Sequence, residues 1–405
     1  MNYIFLLTNN IIVYFCGLLS SIFVARHLGP EILGSYVFLL LILSYFTNFG
    51  RFRVSKSILP YLKNNQGHEL TIFSLSFFLN ALFASVSTVA LVTIGFYVGF
   101  FKDFPVWIYP LMSLMIFCEH FLLFITYALS FQSKFKWLAM WTAFRPIMQT
   151  AGFAWLYFVI PEQKSPMYYL SVNAVTMLIS VLIGTYLVRN YINLSFLRYR
   201  ILDLKHYFNI SLRFYLADFV GFFSGRGVAT LVAAKLAISN LAYFNMMFNH
   251  FKLLEFPNTA LGTMMYPKLS KETEDKKQRI YISRKVGLNF LIYPPIMIAA
   301  YFLYPKLVLL FYGPEYEIIT HYFPYILLLG GPYLIFYPIF HYFSANGAPQ
   351  FSAIIEFFGL FIQITGVILF ICWNNFSLFS ALLSQTFGMV GCTIALLLIY
   401  KYKKF

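Results

Sequence analysis

The chain has 405 residues, of which 60% are apolar and only 11% are charged. Its mean hydropathy is +0.74. No soluble core needs so much apolar surface, so the composition predicts an all-α polytopic membrane protein. The formal net charge of +15 would suit a nucleic-acid partner in a soluble protein. Here the basic residues lie between apolar segments, so they indicate membrane orientation and we expect no nucleic-acid partner.

The cysteines lie in or beside apolar segments and lack the spacing of metal ligands. The sequence therefore predicts neither a disulfide framework nor a metal site. The four cysteines are Cys16, Cys118, Cys372 and Cys392.

The first apolar segment has no basic leader and no small-residue cleavage signature, which is typical of a span that is retained.

Apolar segments long enough to cross a bilayer as helices occur about 12 times along the chain. A basic stretch divides them into two sets of six. We therefore predict an N-terminal six-helix lobe at 1–188, a basic cytoplasmic linker at 189–206 and a C-terminal six-helix lobe at 207–405. The predicted spans are 3–25, 34–50, 71–100, 106–131, 138–160, 167–188, 207–234, 238–265, 287–310, 321–343, 350–372 and 377–400.

Lysine and arginine are distributed unevenly between the loops of the two sides. Counted from an N-terminus inside the cell, 21 of the 29 basic residues lie in the loops of one side and five in the loops of the other. The positive-inside rule then places both termini in the cytoplasm. All external loops are short and offer no reactive cluster, so we expect a protein that is not an enzyme.

The segment 207–234 is long enough to cross a bilayer, yet it carries Asp218 and Arg226 in its interior. Charges at that depth are costly and usually mark the path of a substrate or an ion, although each could instead pair with a neighbouring helix. Gly221 and Gly225 share the face of Asp218. They permit close approach of another helix or of a ligand.

Four other predicted spans carry one polar stripe each, and such stripes usually face the interior of a helix bundle. Together they favour a hydrated cavity, although any single stripe could simply form hydrogen bonds between helices. Arg145 and Glu356 lie within about two turns of the predicted cytoplasmic side, so either could instead be an interfacial residue. The stripes consist of Glu119, Thr126 and Ser130; of Thr142, Arg145, Gln149 and Gly152; of Asn245, Asn249, Lys252 and Thr259, with Glu255 one turn from Lys252; and of Glu356, Gly359 and Gln363.

Four short motifs lie along the chain, the longest being Ala-Arg-His-Leu-Gly-Pro-Glu-Ile-Leu-Gly-Ser-Tyr at 25–36. This run resembles the first-hairpin signature of the O-antigen flippase family of polysaccharide-biosynthesis transporters. The resemblance continues at Pro267-Lys268-Leu269-Ser270, Gly313-Pro314-Glu315-Tyr316 and Ala345-Asn346-Gly347. It implies the twelve-helix, two-bundle fold shared with multidrug and toxin extrusion transporters.

The resemblance also implies a function. We expect a flippase that moves undecaprenyl-pyrophosphate-linked oligosaccharide, such as the O-antigen repeat unit of lipopolysaccharide, outward across a bacterial inner membrane by alternating access. The expected partners are membrane lipids, the lipid-linked glycan and other polysaccharide-assembly proteins. No cofactor is expected beyond a coupling proton or sodium ion.

Specific side chains are candidates for each role. Cations in a hydrated cavity would let a pyrophosphate pass through hydrocarbon, and acids could bias the inward- and outward-open states by binding an ion. The candidates are Arg226, Lys252 and Arg145 for pyrophosphate, Asp218, Glu119 and Glu255 for the coupling ion, and Asn245, Asn249, Gln149 and Gln363 for the polar lining.

Two other classes of protein fit this composition. A cation-coupled multidrug antiporter of the same fold would need an anionic, aromatic cavity, which the three cationic candidates disfavour. A polysaccharide polymerase also has many spans, but it needs reactive residues on a sizeable external loop. The short external loops disfavour that alternative.

Overall fold

The computed structural model is helical in the part of the chain that it describes, and it contains no strand there. The middle of the predicted linker, the stripe residue Thr259 and the motif residues Pro267, Lys268, Ser270, Asn346 and Gly347 lie outside the described residues. The described residues are 2–64, 69–131, 135–192, 204–258, 265, 269, 274–345 and 349–402.

Most of the described residues lie in α-helices, as expected when each backbone must satisfy its own hydrogen bonds within a bilayer. They are α1 (Asn2–Gly50), α2 (Val54–Asn64), α3 (Glu69–Val98), α4 (Ile108–Phe131), α5 (Phe135–Val159), α6 (Pro166–Val188), α7 (Leu204–Lys235), α8 (Ile238–Leu253), α9 (Asp275–Phe311), α10 (Ile318–Phe336), α11 (Pro338–Ala345), α12 (Pro349–Cys372) and α13 (Leu378–Tyr402).

Within the described residues, nine helices are long and apolar enough to cross a bilayer, and the first of them, Thr8–Ile58, covers two of the predicted spans. Many large apolar side chains on these helices are exposed, for example Phe96 at 76% and Leu328 at 75%. Such exposure is unfavourable in water but suits contact with hydrocarbon. The prediction of an all-α polytopic membrane protein is confirmed.

Helix α1 is interrupted at Gly29, whose φ of 69° and ψ of 170° are not helical. Glycine adopts a positive φ without the steric cost of a Cβ atom. The next residue, Pro30, disfavours the helical conformation of the residue before it. The Gly-Pro pair therefore produces a kink in α1 that separates the two predicted spans 3–25 and 34–50.

Helix α2 occupies a segment that the predicted spans leave in a loop. Its buried residues Val54, Ile58, Tyr61 and Leu62 are each at most 4% exposed. They recur at the i, i+4, i+7 and i+8 spacing of one helix face. This helix is too short to cross a bilayer, which is why a search for spans misses it.

Three other boundaries differ from the prediction. Helix α8 ends at Leu253, twelve residues before the predicted end at 265, because Pro257 cannot donate an N–H to the Leu253 carbonyl. Helix α9 begins at Asp275, twelve residues before the predicted start at 287, because its first three turns are polar and carry no hydropathy signal. The predicted span 321–343 is divided into α10 and α11 at Tyr337. Pro338 follows at once, and a proline cannot donate the N–H of a continuous helix.

The chain forms two compact units, one made of Met1–Leu28 with Leu39–Tyr215 and the other of Gly29–Phe38 with Leu216–Phe405. In the first unit α2 packs into an apolar core with α3, α4 and the start of α7. The Tyr207 hydroxyl there donates to the Val54 carbonyl at 2.6 Å. The second unit has its own core, which includes Ile282, Tyr342 and Leu396. The lobes predicted at 1–188 and 207–405 stay a prediction.

Helices α12 and α13 pack so closely that Gly359 leaves no room for a side chain. A Cβ atom there would lie 2.2 Å from the Cys392 Sγ and 2.9 Å from the Gly388 carbonyl oxygen. We therefore expect Gly359→Ala to destabilise the protein by about 1–3 kcal/mol, the usual cost of overpacking. Thermal unfolding in detergent measures this. Gly221→Ala is the control, since a Cβ at Gly221 meets no atom within 4 Å; equal melting temperatures for the two variants would contradict the prediction.

Candidate functional site

Two arginines share one carboxylate inside the first unit. The Arg51 Nη2 lies 2.6 Å from the Glu119 Oε2, and the Arg145 Nη1 lies 3.3 Å from the Glu119 Oε1. Arg51 also donates to the Glu119 backbone carbonyl at 3.0 Å, and the Arg145 Nη2 lies 3.5 Å from the Asn173 Oδ1. We call Arg51, Glu119 and Arg145 the arginine triad.

Close packing at the end of α1 positions Arg51 for this contact. A Cβ atom on Gly50 would lie 1.6 Å from the Ser87 Oγ and 3.4 Å from the His120 Nε2. Glycine therefore allows the end of α1 to approach α3 and α4 directly. The chain leaves the helix with positive φ angles at Phe52 and Arg53, and Arg51 at the turn reaches Glu119 in α4.

The arginine triad carries a surplus of positive charge. Arginine stays protonated in proteins, so two guanidinium groups and one carboxylate leave a net charge of about +1. The side chains of Arg51, Glu119 and Arg145 are 12%, 26% and 27% exposed, so the triad is enclosed but not sealed. The Nε of Arg51 is buried and has no hydrogen-bond partner among the described residues. The triad can therefore receive an anion with several acceptor oxygens.

A second charged cluster lies in the other unit, at the predicted candidates of α7 and α8. Arg226 and Lys252 are close enough to interact electrostatically, and Lys252 interacts in the same way with Glu255. Glu255 in turn interacts with Glu356 of α12. The structure thus brings together four ionisable side chains, which come from α7, from α8 and the turn that follows it, and from α12. We call them the mixed-charge cluster.

The acid end of the mixed-charge cluster is attached to α7 and α13 by hydrogen bonds. The Ser224 side chain forms a hydrogen bond with the Glu356 carboxylate. The Gln385 Nε2 donates to the Ser224 carbonyl at 2.8 Å. These contacts place Glu356 inside the bundle, where the sequence showed it only as part of a polar stripe.

The glycine face of α7 is open in this structure. A Cβ atom at Gly221 or at Gly225 would meet no described atom within 4 Å. Gly221 and Gly225 therefore pack against no described helix, although their position on one face of α7 allowed that interpretation. Asp218, on the same helix, is partly buried.

The predicted lining residues occupy different environments. Gln363 is only 2% exposed and packs onto Gly388 of α13, where an added Cβ would lie 2.2 Å from its Cγ. Asn249 is exposed, whereas Asn245 and Gln149 are partly buried. Gln363 thus lies in a helix contact, and the other three side chains keep access to the surroundings of their helices.

The sequence did not predict two residues at this site, which are Arg51 of the arginine triad and its neighbour Asn173. Arg51 entered only as a loop charge, because it follows the last residue of a long apolar helix. Asn173 lies in α6, where one amide in an apolar segment gives little signal. The described residues contain no group of three His, Cys, Asp or Glu side chains that could hold a metal ion.

The comparisons with known proteins agree with this picture. The family model described as "Polysaccharide biosynthesis protein" matches residues 23–320, and no protein of curated function matches the sequence. A multidrug resistance transporter of the MATE family in an inward-facing conformation is similar in structure, with a TM-score of 0.75, 13% identity and coverage of 98% of this chain and 97% of that one.

Two further solved structures resemble the chain. The lipid II flippase MurJ in an inward closed conformation has a TM-score of 0.74 at 15% identity, with coverage of 99% of this chain and 87% of that one. A MOP superfamily transporter from Pyrococcus furiosus, described as having a binding pocket of reversed polarity, has a TM-score of 0.66 at 12% identity, with coverage of 99% and 94%. At these identities the likeness shows the fold alone.

The family match extends over well more than half of the chain. The structural likeness extends over nearly the whole of it. The protein is therefore a member of the polysaccharide biosynthesis protein family with the polytopic fold of MOP superfamily transporters.

Proposed function

We propose that the protein is a flippase that moves undecaprenyl-pyrophosphate-linked oligosaccharide, of the O-antigen type, from the cytoplasmic to the periplasmic leaflet by alternating access. The observation that carries this proposal is the positive surplus of the arginine triad, which is partly enclosed where the end of α1 meets α4 and α5. Enclosed charges in a membrane protein are costly and usually mark the path of a substrate or an ion. A guanidinium group matches the oxygens of a pyrophosphate in bidentate geometry.

The relatives support a lipid-linked cargo. The family is named for polysaccharide biosynthesis, and one structural neighbour is a flippase for lipid II. Another structural neighbour is a multidrug resistance transporter. A multidrug antiporter would bind organic cations, and the arginine triad repels cations. Membrane lipids and other polysaccharide-assembly proteins are the further partners that we propose.

We propose two roles for the charged side chains, which are binding of the pyrophosphate and coupling to an ion. We assign Arg145, together with Arg51, to the pyrophosphate. Glu119 was predicted as a candidate for the coupling ion; because both arginines contact it, we propose instead that it holds the two guanidinium groups in place. Asp218 and Glu255 remain our candidates for a coupling proton or sodium ion, with Glu356 added beside Glu255 because the two carboxylates interact. Arg226 and Lys252 stay predicted contacts to the cargo.

The orientation follows the distribution of basic residues, and we propose that both termini face the cytoplasm of a bacterial inner membrane. Lys277, at the exposed start of α9, should then be labelled as a cysteine variant only from inside. Lys102, which follows α3, should be labelled only from outside. Labelling of both positions from the same side would overturn this orientation.

Cells that lack the protein provide the direct test of the proposed function. If the protein is a flippase, single lipid-linked repeat units should accumulate on the cytoplasmic face of the membrane. Accumulation on the periplasmic face would indicate a polymerase. Normal glycan export together with a loss of organic-cation efflux would indicate a multidrug antiporter.

Asp218 provides a test of ion coupling. Asp218→Asn keeps the shape of the side chain but removes its ionisation, so we expect normal folding and a loss of ion-driven transport of at least about fivefold, the low end of measured couplings between sites. Transport in vesicles is compared under imposed pH and sodium gradients. Gly221→Ala, on the same open face, is the control. Unchanged transport under every gradient would assign Asp218 a structural role.

A further inference from the structure

The start of α9 combines a basic cavity with an exposed apolar stripe. A cavity of about 710 Å³ lies at Asp275, Lys276, Arg279, Ile280, Ser283 and Arg284. Lys276, Ile280, Ser283 and Arg284 are all exposed. At 100° per residue Lys276, Ile280 and Arg284 fall within about 80° of each other around the helix, and Ser283 lies about 20° beyond Lys276. One face of α9 therefore presents two cations at the end that the basic-residue count assigns to the cytoplasm.

The cations of this region differ in whether they are already neutralised. The Arg279 Nε donates to the Asp275 Oδ2 at 2.9 Å, and Arg279 also donates to the Tyr400 carbonyl at 2.8 Å. Lys277 pairs with Glu274 at 2.8 Å. The Tyr342 hydroxyl donates to the other oxygen of Asp275, so that carboxylate is fully engaged.

Lys276 and Arg284 are different, because neither forms an ion pair with any described residue. Their charges face the same cavity. A cavity with two unpaired cations and a carboxylate already occupied by its own arginine attracts an anion. A phosphate group is the anion that both a lysine and an arginine bind well.

The same face of α9 continues into the apolar part of the helix. Gly287 leaves open space, since an added Cβ would meet no described atom within 4 Å. Beyond it Leu291 is 74% exposed and Ile298 is 60% exposed. These positions fall within the same band of about 80° as Lys276 and Arg284. The buried residues of α9, such as Ile282 and Asn289, lie on the opposite side.

We propose that this face of α9 binds an anionic phospholipid. Its phosphate lies between Lys276 and Arg284, and an acyl chain runs past Gly287 along Leu291 and Ile298. The complementarity is twofold: unpaired positive charge meets the headgroup, and an exposed apolar stripe meets the chain. This site is separate from the arginine triad and does not depend on which cargo the protein moves.

Quenching by brominated lipids tests the site in the full-length protein. Three of the four cysteines are buried and only Cys372 is exposed, so Leu291→Cys in a Cys372→Ser background gives one labelled position on the stripe. A bimane label there is reconstituted into vesicles of phosphatidylcholine and phosphatidylglycerol, with the bromine on one lipid or on the other. We expect brominated phosphatidylglycerol to quench more strongly than its molar fraction predicts.

Charge variants then decide whether the two cations cause this preference. Each basic residue near an anionic membrane surface strengthens lipid binding about fivefold. The double change Lys276→Gln with Arg284→Gln should therefore lower the preference for phosphatidylglycerol about 30-fold. Lys285→Gln is the matched control. It is the next residue on the helix, it points away from the stripe, and its Nζ lies 5.5 Å from the centroid of the Tyr281 ring.

The proposal is overturned if the double variant keeps the wild-type preference, or if Lys285→Gln lowers the preference as much as the double variant does. The second outcome would indicate general surface charge and no site. Glycerol phosphate added in solution should not displace the lipid, because it lacks the chain; displacement would show that the cavity binds a soluble phosphate. Melting temperatures of all variants establish that they fold.

Discussion

Replacing Arg145 with alanine is expected to give a folded protein that transports lipid-linked oligosaccharide at least about 30-fold more slowly, equivalent to about 2 kcal/mol of lost binding. The change removes the positive surplus of the arginine triad. Arg51 keeps its 2.6 Å contact with Glu119, so no carboxylate is left unpaired and the loss of stability is small. The measurement is uptake by vesicles, divided by the amount of folded protein.

Glu119→Gln is the opposite change and separates a structural role from binding. It leaves both guanidinium groups without a counterion, which costs about 3 kcal/mol of stability when a buried pair is broken. We expect a lower melting temperature but smaller losses of transport per folded molecule than in Arg145→Ala. Arg189→Gln is the control for the loss of one positive charge, because Arg189 lies 4.1 Å above the ring of Tyr186 and is exposed.

If Glu119→Gln lost more transport per folded protein than Arg145→Ala, the result would contradict the role that we assign to the arginine triad. Normal transport by Arg145→Ala, with a defect in Glu119→Gln that persists after correction for folded protein, would show that the triad only holds α1, α4 and α5 together. The proposed flippase would then depend on the family match and on the mixed-charge cluster alone.

Removing Lys252 and Glu255 together is expected to leave a stable protein with a transport defect of at least about 30-fold. If Lys252 only neutralised Glu255, the double change Lys252→Met with Glu255→Gln would restore what either single change loses, because no unpaired charge would remain. If Lys252 binds the cargo, the defect persists at normal protein levels. Transport per folded protein in vesicles again measures this.

Arg226 provides the companion variants for this test, since it interacts electrostatically with Lys252. Arg226→Ala should be as defective as the double change. Arg226→Lys should keep part of the activity, because a point charge still attracts phosphate although the bidentate geometry is lost. Full activity in both the double variant and Arg226→Ala would exclude these two cations from the transport path.

Parts of the candidate site could be predicted because a charge within an apolar segment is conspicuous. Asp218, Arg226, Lys252, Glu119 and Arg145 all stand out in this way. Their pairing could not be predicted, because Arg51 and Glu119 are 68 residues apart and their contact depends on how closely α1 approaches α4. The same limit applies to Gln363, whose stripe matched a cavity wall but which packs onto Gly388.

The sequence by itself determined that the protein is an all-helical membrane protein, because both hydropathy and the internal hydrogen bonds of a helix are local properties. It also indicated the family through short motifs such as the one at 25–36, later supported by the match over residues 23–320. It did not reveal α2, whose eleven residues are helical and amphipathic but too short for a span.

Only the tertiary structure decided which charges meet. The rotation of a helix about its axis is set by packing against its neighbours and not by its hydrophobic length. A glycine that allows close approach, such as Gly50, therefore determines whether Arg51 reaches Glu119 or points elsewhere. For the same reason the open face of α7 and the unpaired cations of α9 became visible only when the neighbouring helices were in place.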